Sequence, residues 1–195
     1  WGKQFVTAPF RNRPSDIYRV YVQDPTTVVT YTENGITNTF GPGQFNTNGR
    51  FYQYKTANPL FISGDKPIQV VQYITSQNCK ASCPTNSSNP TCYADPEMVV
   101  LNSIEQTLDT ITFFSAHQSY VPAGQTNVVN HFVNLIINRN FKNTVRIDGA
   151  APTGTFVDIP GTNYSYLQED VSASSAFNPV HRVTADTGFS AIVYG

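Results

Sequence analysis

Apolar and polar residues alternate along most of this chain, and this pattern constrains the fold more than any other feature. It is clearest in Ile17–Val22, Thr27–Thr32 and Ile68–Tyr73. Successive side chains of a strand point to opposite faces, so a period of two residues predicts half-buried β-strands. The composition agrees, because 13 Phe and 11 Tyr residues suit a pleated surface better than a helix. The sequence therefore predicts an all-β protein.

Turn signals separate the alternating runs. Asn34-Gly35 and Asp148-Gly149 each predict a two-residue hairpin turn, because both residue types at each turn tolerate a positive φ. Pro42, Pro59 and Pro67 are expected at breaks between strands, where the missing amide hydrogen costs no ladder hydrogen bond.

The second half of the chain repeats the first. Five segments recur in the same order, which favours an internal duplication over the general similarity of β-meanders. Phe132–Ile137 corresponds to Arg19–Val22, Asn143–Gly149 to Val28–Gly35, Tyr164–Tyr166 to Tyr52–Tyr54, Asn178–Val180 to Asn58–Leu60, and Gly188–Tyr194 to Pro67–Tyr73. We predict an antiparallel, β-sandwich-like assembly of two tandem duplicated halves, with one continuous sandwich as the alternative.

The repeat also suggests domain boundaries. We assign residues 1–96 to the first β repeat and residues 97–195 to the second, packed with the first as one unit. An apolar run, Glu97–Leu101, precedes the first strand of the second repeat, and the first repeat has no such run. We therefore expect the first repeat to lack its N-terminal strand and the chain to be a piece of a longer protein.

Three cysteines lie close together in a loop-like stretch rich in Pro, Asn and Ser. A zinc site normally needs four Cys or His ligands, and only Cys79 and Cys83 have a typical ligand spacing. A disulfide is the better interpretation, and we predict that it joins Cys79 to Cys92 and leaves Cys83 free. This pairing favours an oxidising, extracellular location. No metal site is predicted.

Motifs of catalysis and cofactor binding are not found. The chain contains no G-x-S-x-G elbow, H-E-x-x-H pair, phosphate loop or dinucleotide fingerprint, so we predict no cofactor and no catalytic residues. Two carboxylates suffice for glycoside hydrolysis, and Glu97, Glu105, Glu169 and Asp170 are the acids to consider. We expect these four to be exposed or hydrogen-bonded to nearby backbone, and the chain not to be an enzyme.

Charge and aromatic residues bear on the partners. The net charge is −1, and no apolar run is long enough to span a bilayer, so we expect neither nucleic-acid binding nor membrane insertion. The pairs Tyr52/Tyr54 and Tyr164/Tyr166 each share one strand face. Each pair is a candidate binding surface for a sugar or a protein, although such pairs more often belong to a core.

Several stretches resemble the IgGFc-binding protein N-terminal domain family, as found in large surface adhesins of gliding bacteria. They are Pro67–Tyr73, Asp95–Val99, Ser103–Gln106, His131–Asn134, Tyr164–Asp170, His181–Asp186 and Gly188–Gly195. The resemblance covers nearly the whole chain. It implies a non-enzymatic surface domain, often one module of a very long chain, and it transfers neither binding residues nor antibody Fc binding.

These observations together predict a secreted, cell-surface domain that mediates adhesion or surface-protein interaction. Its expected partners are a surface protein or a glycan and the neighbouring modules of a longer chain. A carbohydrate-binding module is the alternative, and a glycoside hydrolase is the less favoured one.

Overall fold

A computed structural model describes residues 1–11, 13–48, 50–75, 96–115, 131–172 and 179–195. Cys79 and Cys92 lie outside these residues, so their disulfide stays a prediction. The described residues form mostly strands, with 3-10 helices at Ile104–Gln106 and Arg139–Thr144. The strands are β1 Gly2–Val6, β2 Asp16–Val22, β3 Val29–Glu33, β4 Ile36–Phe40, β5 Phe51–Thr56, β6 Leu60–Ile74, β7 Glu97–Val100, β8 Leu108–Phe114, β9 Phe132–Asn138, β10 Arg146–Ile147, β11 Val157–Asp158, β12 Tyr164–Asp170 and β13 Val180–Tyr194. This confirms the predicted all-β class.

The chain packs as two compact units. Unit 1 comprises Trp1–Gln106 and Ile159–Thr162, and unit 2 comprises Thr107–Asp158 and Asn163–Gly195. By packing, β7 therefore belongs to unit 1, where it pairs with β6. The boundary between residues 96 and 97, which divides the chain by sequence repeat, stays a prediction.

The antiparallel sheet of unit 1 is organised around β6. Its strand order is β4-β3-β6-β2-β5, and β1 and β7 also pair with β6. Val20 on β2 lies opposite Val70 on β6 and Tyr52 on β5, so these side chains share one face. That face is the inner face, because Val20 and Val70 are buried.

The sheet of unit 2 is organised in the same way around β13. Its order is β10-β13-β9-β12-β11, and β8 also pairs with β13. Alternate residues of β9 enter the buried core, where Val133, Leu135 and Ile137 pack with Leu167 and Phe189. The buried residues of one strand thus pack against buried residues on neighbouring strands of the same sheet.

The two sheets confirm the predicted duplication. The four-strand order β3-β6-β2-β5 of unit 1 corresponds to the order β10-β13-β9-β12 of unit 2, whereas the edge strands β4 and β11 lie at opposite ends and do not correspond. β1 and β8 correspond as well, because each pairs with the long central strand of its sheet. All of these pairs are antiparallel.

Both central strands carry a register irregularity at the same place. The ladder between β1 and β6 shifts between Gly2 and Gln4, whose partners are Ile68 and Ser63. The ladder between β8 and β13 shifts between Thr184 and Phe189. In unit 1 the irregular stretch includes Pro67, which was expected at a break between strands. That expectation is wrong, because β6 continues through Pro67 and the irregularity removes the need for its amide hydrogen.

The two predicted hairpin turns are confirmed. Asn34 and Gly35 have φ values of 52° and 81°, and they separate the paired residues Glu33 and Ile36. Asp148 and Gly149 have φ values of 53° and 82° between the bridged residues Ile147 and Ala150. Positive φ at both central residues is the geometry of a type I′ turn, which suits the twist of the flanking strands.

Candidate functional site

The predicted tyrosines of unit 1 lie on the inner face of its sheet. Tyr54 is opposite the fully buried Tyr18, and Tyr52 is opposite Val20. The ring of Tyr52 stacks on Phe40 with centroids 4.1 Å apart and an interplanar angle of 21°. Tyr52 and Tyr54 are half-buried, so packing within the unit occupies much of their surface.

Glu33 fixes Tyr54 in place. Its carboxylate accepts hydrogen bonds from the hydroxyl groups of Tyr54 and Thr56 and from Nδ2 of Asn58, the last at 2.9 Å. Burial raises the pKa of Glu33, but the three hydrogen bonds outweigh it and hold the pKa below its usual value. Burial and the Glu33 carboxylate raise the pKa of Tyr54. Because β3 and β5 are not neighbours in the sheet, Glu33 ties together strands that the ladder leaves apart.

The predicted tyrosines of unit 2 lie on the face of their sheet that is turned away from the core cluster of that unit, a face on which Asn134 and Ile136 of β9 are also buried. Tyr164 is opposite Asn138, and Tyr166 is opposite Ile136, whereas the core residues of β9 alternate with these. Both tyrosines are half-buried, and burial raises the pKa of Tyr166. Each pair shares one face, as predicted, but the two pairs do not occupy equivalent positions.

The ladder register explains this difference. Tyr166 of β12 lies opposite Ile136 of β9, and Phe51 of β5 lies opposite Tyr21 of β2. Because Ile136 and Tyr21 hold equivalent positions in the two sheets, Tyr166 corresponds to Phe51. The sequence match of Tyr164–Tyr166 with Tyr52–Tyr54 is therefore wrong in register by three residues. An odd shift exchanges the two faces of a strand.

The outer face of the unit 1 sheet carries a cluster that the sequence did not single out. We call it the Arg19 platform and define it as Arg19, Tyr21, Phe51, Gln53 and Tyr73. Arg19 is opposite Gln53, and Tyr21 is opposite Phe51, whereas the alternate residues of β2 are buried. Strand alternation therefore turns these side chains away from the core.

The Arg19 guanidinium is the centre of the platform. Its Cζ atom lies 4.6 Å from the ring centroid of Phe51 and 5.0 Å from that of Tyr73. Nε donates to Oε1 of Gln53 at 3.0 Å, and one terminal nitrogen donates to the hydroxyl of Tyr73 at 3.3 Å. A guanidinium held between two rings gains cation–π attraction and loses little further freedom when it binds a partner.

The tyrosine hydroxyls complete the hydrogen-bonded part of the platform. Those of Tyr21 and Tyr73 are 3.4 Å apart, and the Tyr21 ring lies 5.4 Å from the Phe51 ring. Hydrogen bonding to Tyr73 lowers the pKa of Tyr21, although burial opposes this, while burial raises the pKa of Tyr73. The cluster is thus connected before any partner arrives.

Exposed side chains surround the platform. Lys55 follows Gln53 on the same face of β5 and is exposed. Met98 on β7 lies opposite Tyr73 and is 60% exposed, and Val100 is 54% exposed. The outer face therefore joins cations, aromatic rings and accessible apolar groups, a combination enriched where proteins bind one another.

A family model described as IgGFc binding protein matches residues 1–195, which is the whole chain. The chain belongs to this family. No curated protein and no solved structure matches it. The resemblance stated from the sequence is thereby confirmed, and the IgGFc-binding family assignment points to a binding domain with protein partners.

The acids considered for catalysis lie in different surroundings in this IgGFc-binding family member. Glu97, Glu105 and Asp170 are exposed. Glu169 is buried and accepts hydrogen bonds from the backbone of Thr153 at 3.0 Å and of Gly154 at 2.7 Å. The Glu169 carboxylate therefore anchors a loop to β12.

Among the residues that the structure describes, no group of three or more His, Cys, Asp or Glu side chains is arranged to hold a metal ion. In the same part of the chain, no helix has the length and apolar character needed to cross a membrane.

The alternation of Arg19 and Tyr21 along β2 was visible in the sequence and places both on one face. Their partners Phe51, Gln53 and Tyr73 belong to β5 and β6, and only the ladder register brings them alongside. The missing information was therefore the pairing of strands distant in sequence.

Proposed function

We propose that this domain is a non-catalytic protein-binding module of an extracellular surface protein and that the Arg19 platform is its contact surface. The observation that carries the proposal is the guanidinium of Arg19, held between Phe51 and Tyr73 on an outward-facing sheet. The surface protein would use this module for adhesion, alongside the neighbouring modules of a longer chain.

The chemistry of the platform favours a protein partner that carries carboxylates. Arg19 and Lys55 supply positive charge, and a guanidinium matches the two oxygens of a carboxylate. Met98 and Val100 add exposed apolar surface beside the cations. Because the hydrogen bonds within the cluster are already formed, binding would immobilise few side chains.

A carbohydrate-binding module is the second candidate, and the platform favours it less. Sugars stack on open aromatic faces, but the Phe51 ring is approached by both the Arg19 guanidinium and the Tyr21 ring. The predicted sugar-binding pair Tyr52 and Tyr54 faces inward, where Tyr52 stacks on Phe40. The platform therefore presents a positive charge and the edges of aromatic rings to a partner, rather than an open ring face on which a sugar could stack.

The proposal that the domain is not an enzyme is supported by the carboxylates. A retaining or inverting glycosidase uses two carboxyl groups on either side of the scissile bond. Glu169 is the buried acid among those considered, and both of its carboxylate oxygens accept hydrogen bonds from the backbone of Thr153 and Gly154. Its role in this arrangement is structural.

Binding arrays with matched variants test the proposal. The purified domain would be applied to one array of surface proteins and one array of neutral glycans, as wild type, Arg19→Ala and Arg182→Ala. Arg182 is an exposed arginine on β13 of unit 2, so its substitution controls for the loss of one positive charge. We expect binding to proteins that Arg19→Ala weakens tenfold or more and Arg182→Ala leaves unchanged, because an arginine that the partner covers at the centre of an interface is a typical hot spot.

Three outcomes would contradict the proposal. Equal binding by wild type and Arg19→Ala would exclude the platform as the contact surface. Binding to glycans alone would identify a carbohydrate-binding module. Cleavage of the arrayed glycans by the purified wild-type domain would contradict the non-catalytic part of the proposal.

A further inference from the structure

Unit 2 contains an open cleft of about 370 Å³ that is separate from the Arg19 platform. It is formed by one continuous stretch of chain between residues 142 and 156. This stretch begins in the 3-10 helix, passes β10 and the Asp148-Gly149 turn, and continues into the loop before β11. The volume lies in the range of small-molecule sites, near its lower limit.

The floor and one wall of the cleft are fixed by the core of unit 2. Val145 is buried in the hydrophobic cluster, and Phe156 packs against the same cluster. Glu169 on β12 holds the wall by accepting hydrogen bonds from the backbone of Thr153 and Gly154. A Cβ atom on Gly154 would lie 2.7 Å from Oε2 of Glu169, so the close approach of this loop requires glycine. The cleft is therefore preformed.

Positive charge lines the cleft. Lys142 and Arg146 are the charged residues of its lining, and the neighbouring polar groups come from Asn143 and Thr155. A terminal nitrogen of Arg146 donates to the carbonyl oxygens of Asn143 at 2.9 Å and of Val145 at 2.7 Å, which orients the guanidinium. The lining thus combines an oriented cation with uncharged hydrogen-bonding side chains.

Lys142 is positioned by an acid outside the cleft. Its Nζ atom lies 2.7 Å from Oδ1 of Asp158. Hydrogen bonds from Lys142 and Ser165 lower the pKa of Asp158, so this carboxylate stays ionised at neutral pH. The ion pair is partly exposed, with the Lys142 side chain 28% and the Asp158 side chain 45% accessible.

We infer that this cleft binds an anionic sugar residue, with its carboxylate or sulfate on Arg146 and Lys142. Phe156 offers an apolar surface for the ring carbons, and Asn143 and Thr155 offer hydrogen bonds to hydroxyl groups. An open cleft accepts one residue of a longer glycan, which an enclosed cavity does not. The inference is independent of the Arg19 platform, so its failure leaves the proposed protein-binding function standing.

Calorimetry and NMR with defined sugars test the inference. The probes are glucuronic acid, galactose 6-sulfate and neutral galactose, with a short glutamate-rich peptide as the alternative anion. We expect both anionic sugars to bind at least tenfold more tightly than galactose. The amide signals of residues 142–156 should shift in the wild-type protein, which needs no variant. Raising the salt concentration should weaken binding, because the site attracts its ligand by charge.

Two arginine variants locate the charge. Arg146→Ala should weaken binding of both anionic sugars tenfold or more, whereas Arg182→Ala, which removes an exposed arginine outside the cleft, should leave it unchanged. Equal binding of galactose, no binding of either anionic sugar, or signal shifts outside residues 142–156 would overturn the inference. Tighter binding of the glutamate-rich peptide than of the sugars would also overturn it and identify the cleft as a peptide site.

Discussion

Asp16 makes the stability of unit 1 depend on pH in an unusual direction. This carboxyl group is fully buried at the start of β2. Its Oδ2 atom accepts hydrogen bonds from the backbone of Phe10 at 2.8 Å and from Nε2 of Gln72 at 2.9 Å. Burial raises the pKa of Asp16 from 3.8 to about 6, although these hydrogen bonds and the charge of Arg13 oppose the shift.

The sign follows from comparing the folded and unfolded chains. Below pH 3.8 the carboxyl is protonated in both, and its contribution to stability is fully present. Between pH 3.8 and about 6 the unfolded chain releases the proton while the folded chain keeps it, so stability falls as the pH rises. A difference of about two pKa units corresponds to a loss of about 3 kcal/mol at neutral pH.

Urea unfolding of the wild type and Asp16→Asn between pH 4 and 8 measures this contribution. Asparagine keeps an acceptor for Phe10 but has no charge to bury. The difference in unfolding free energy between the two proteins should change by about 2.5 kcal/mol over this range, in favour of the variant at high pH, because part of the unfolded carboxyl is already ionised at pH 4. Other titrating groups cancel in the difference. A difference that stays constant with pH would refute the argument and show that Asp16 is ionised in the folded protein.

Three further predictions concern other parts of the chain. Glu33→Ala leaves three partly buried donors without their acceptor and should lower the free energy of unfolding by about 2–4 kcal/mol in urea titrations, whereas Glu33→Gln should cost less. Gly35→Val places a β-branched residue at a φ of 81° and should destabilise the protein by more than about 1 kcal/mol, and a neutral result would contradict the turn assignment. Peptide mapping should find Cys79 joined to Cys92 and Cys83 free, and a bridged Cys83 would show the pairing to be wrong.

The fold class and the turns were predictable from the sequence because both depend on local chemistry. Alternation fixes which residues of one strand share a face, and Asn34-Gly35 has few conformations other than a tight turn. The duplication was predictable as well, because matching segments recur in the same order along the chain, whereas the order of strands within each sheet was not predicted. The continuity of β6 through Pro67 was missed, because a proline at an irregularity looks in sequence like a proline at a strand end.

The candidate site was less predictable, because it depends on register. On β5 the pair Tyr52/Tyr54 alternates with residues of the Arg19 platform, so the two sets lie on opposite faces of the sheet. A shift of one residue in the strand register would exchange these faces. The tyrosines were noticed because they are similar in the two halves. Arg19 was not, since its importance comes from Phe51 and Tyr73, which lie far from it in sequence.

The duplication supplies a test of the platform that separates binding from stability. Asn134 in β9 takes the position of Arg19, because it lies opposite Gln168 and Ile192 as Arg19 lies opposite Gln53 and Val71. Its Oδ1 atom accepts a hydrogen bond from the hydroxyl of Tyr194 at 3.0 Å, as Arg19 contacts that of Tyr73.

The ladder thus carries an asparagine at this position in unit 2, where it is buried, and an arginine in unit 1, where it is half-buried, and only the first repeat carries a cation there. Arg19→Asn should therefore keep the fold and cost about 1 kcal/mol for the lost cation–π contacts. It should also reduce protein binding as much as Arg19→Ala does, because the charge is removed in both variants. Thermal unfolding together with the protein array measures the two effects. An Arg19→Asn domain that binds like the wild type would show that the platform recognises its partner without the guanidinium, and one that fails to fold would show that Arg19 is needed for the sheet itself.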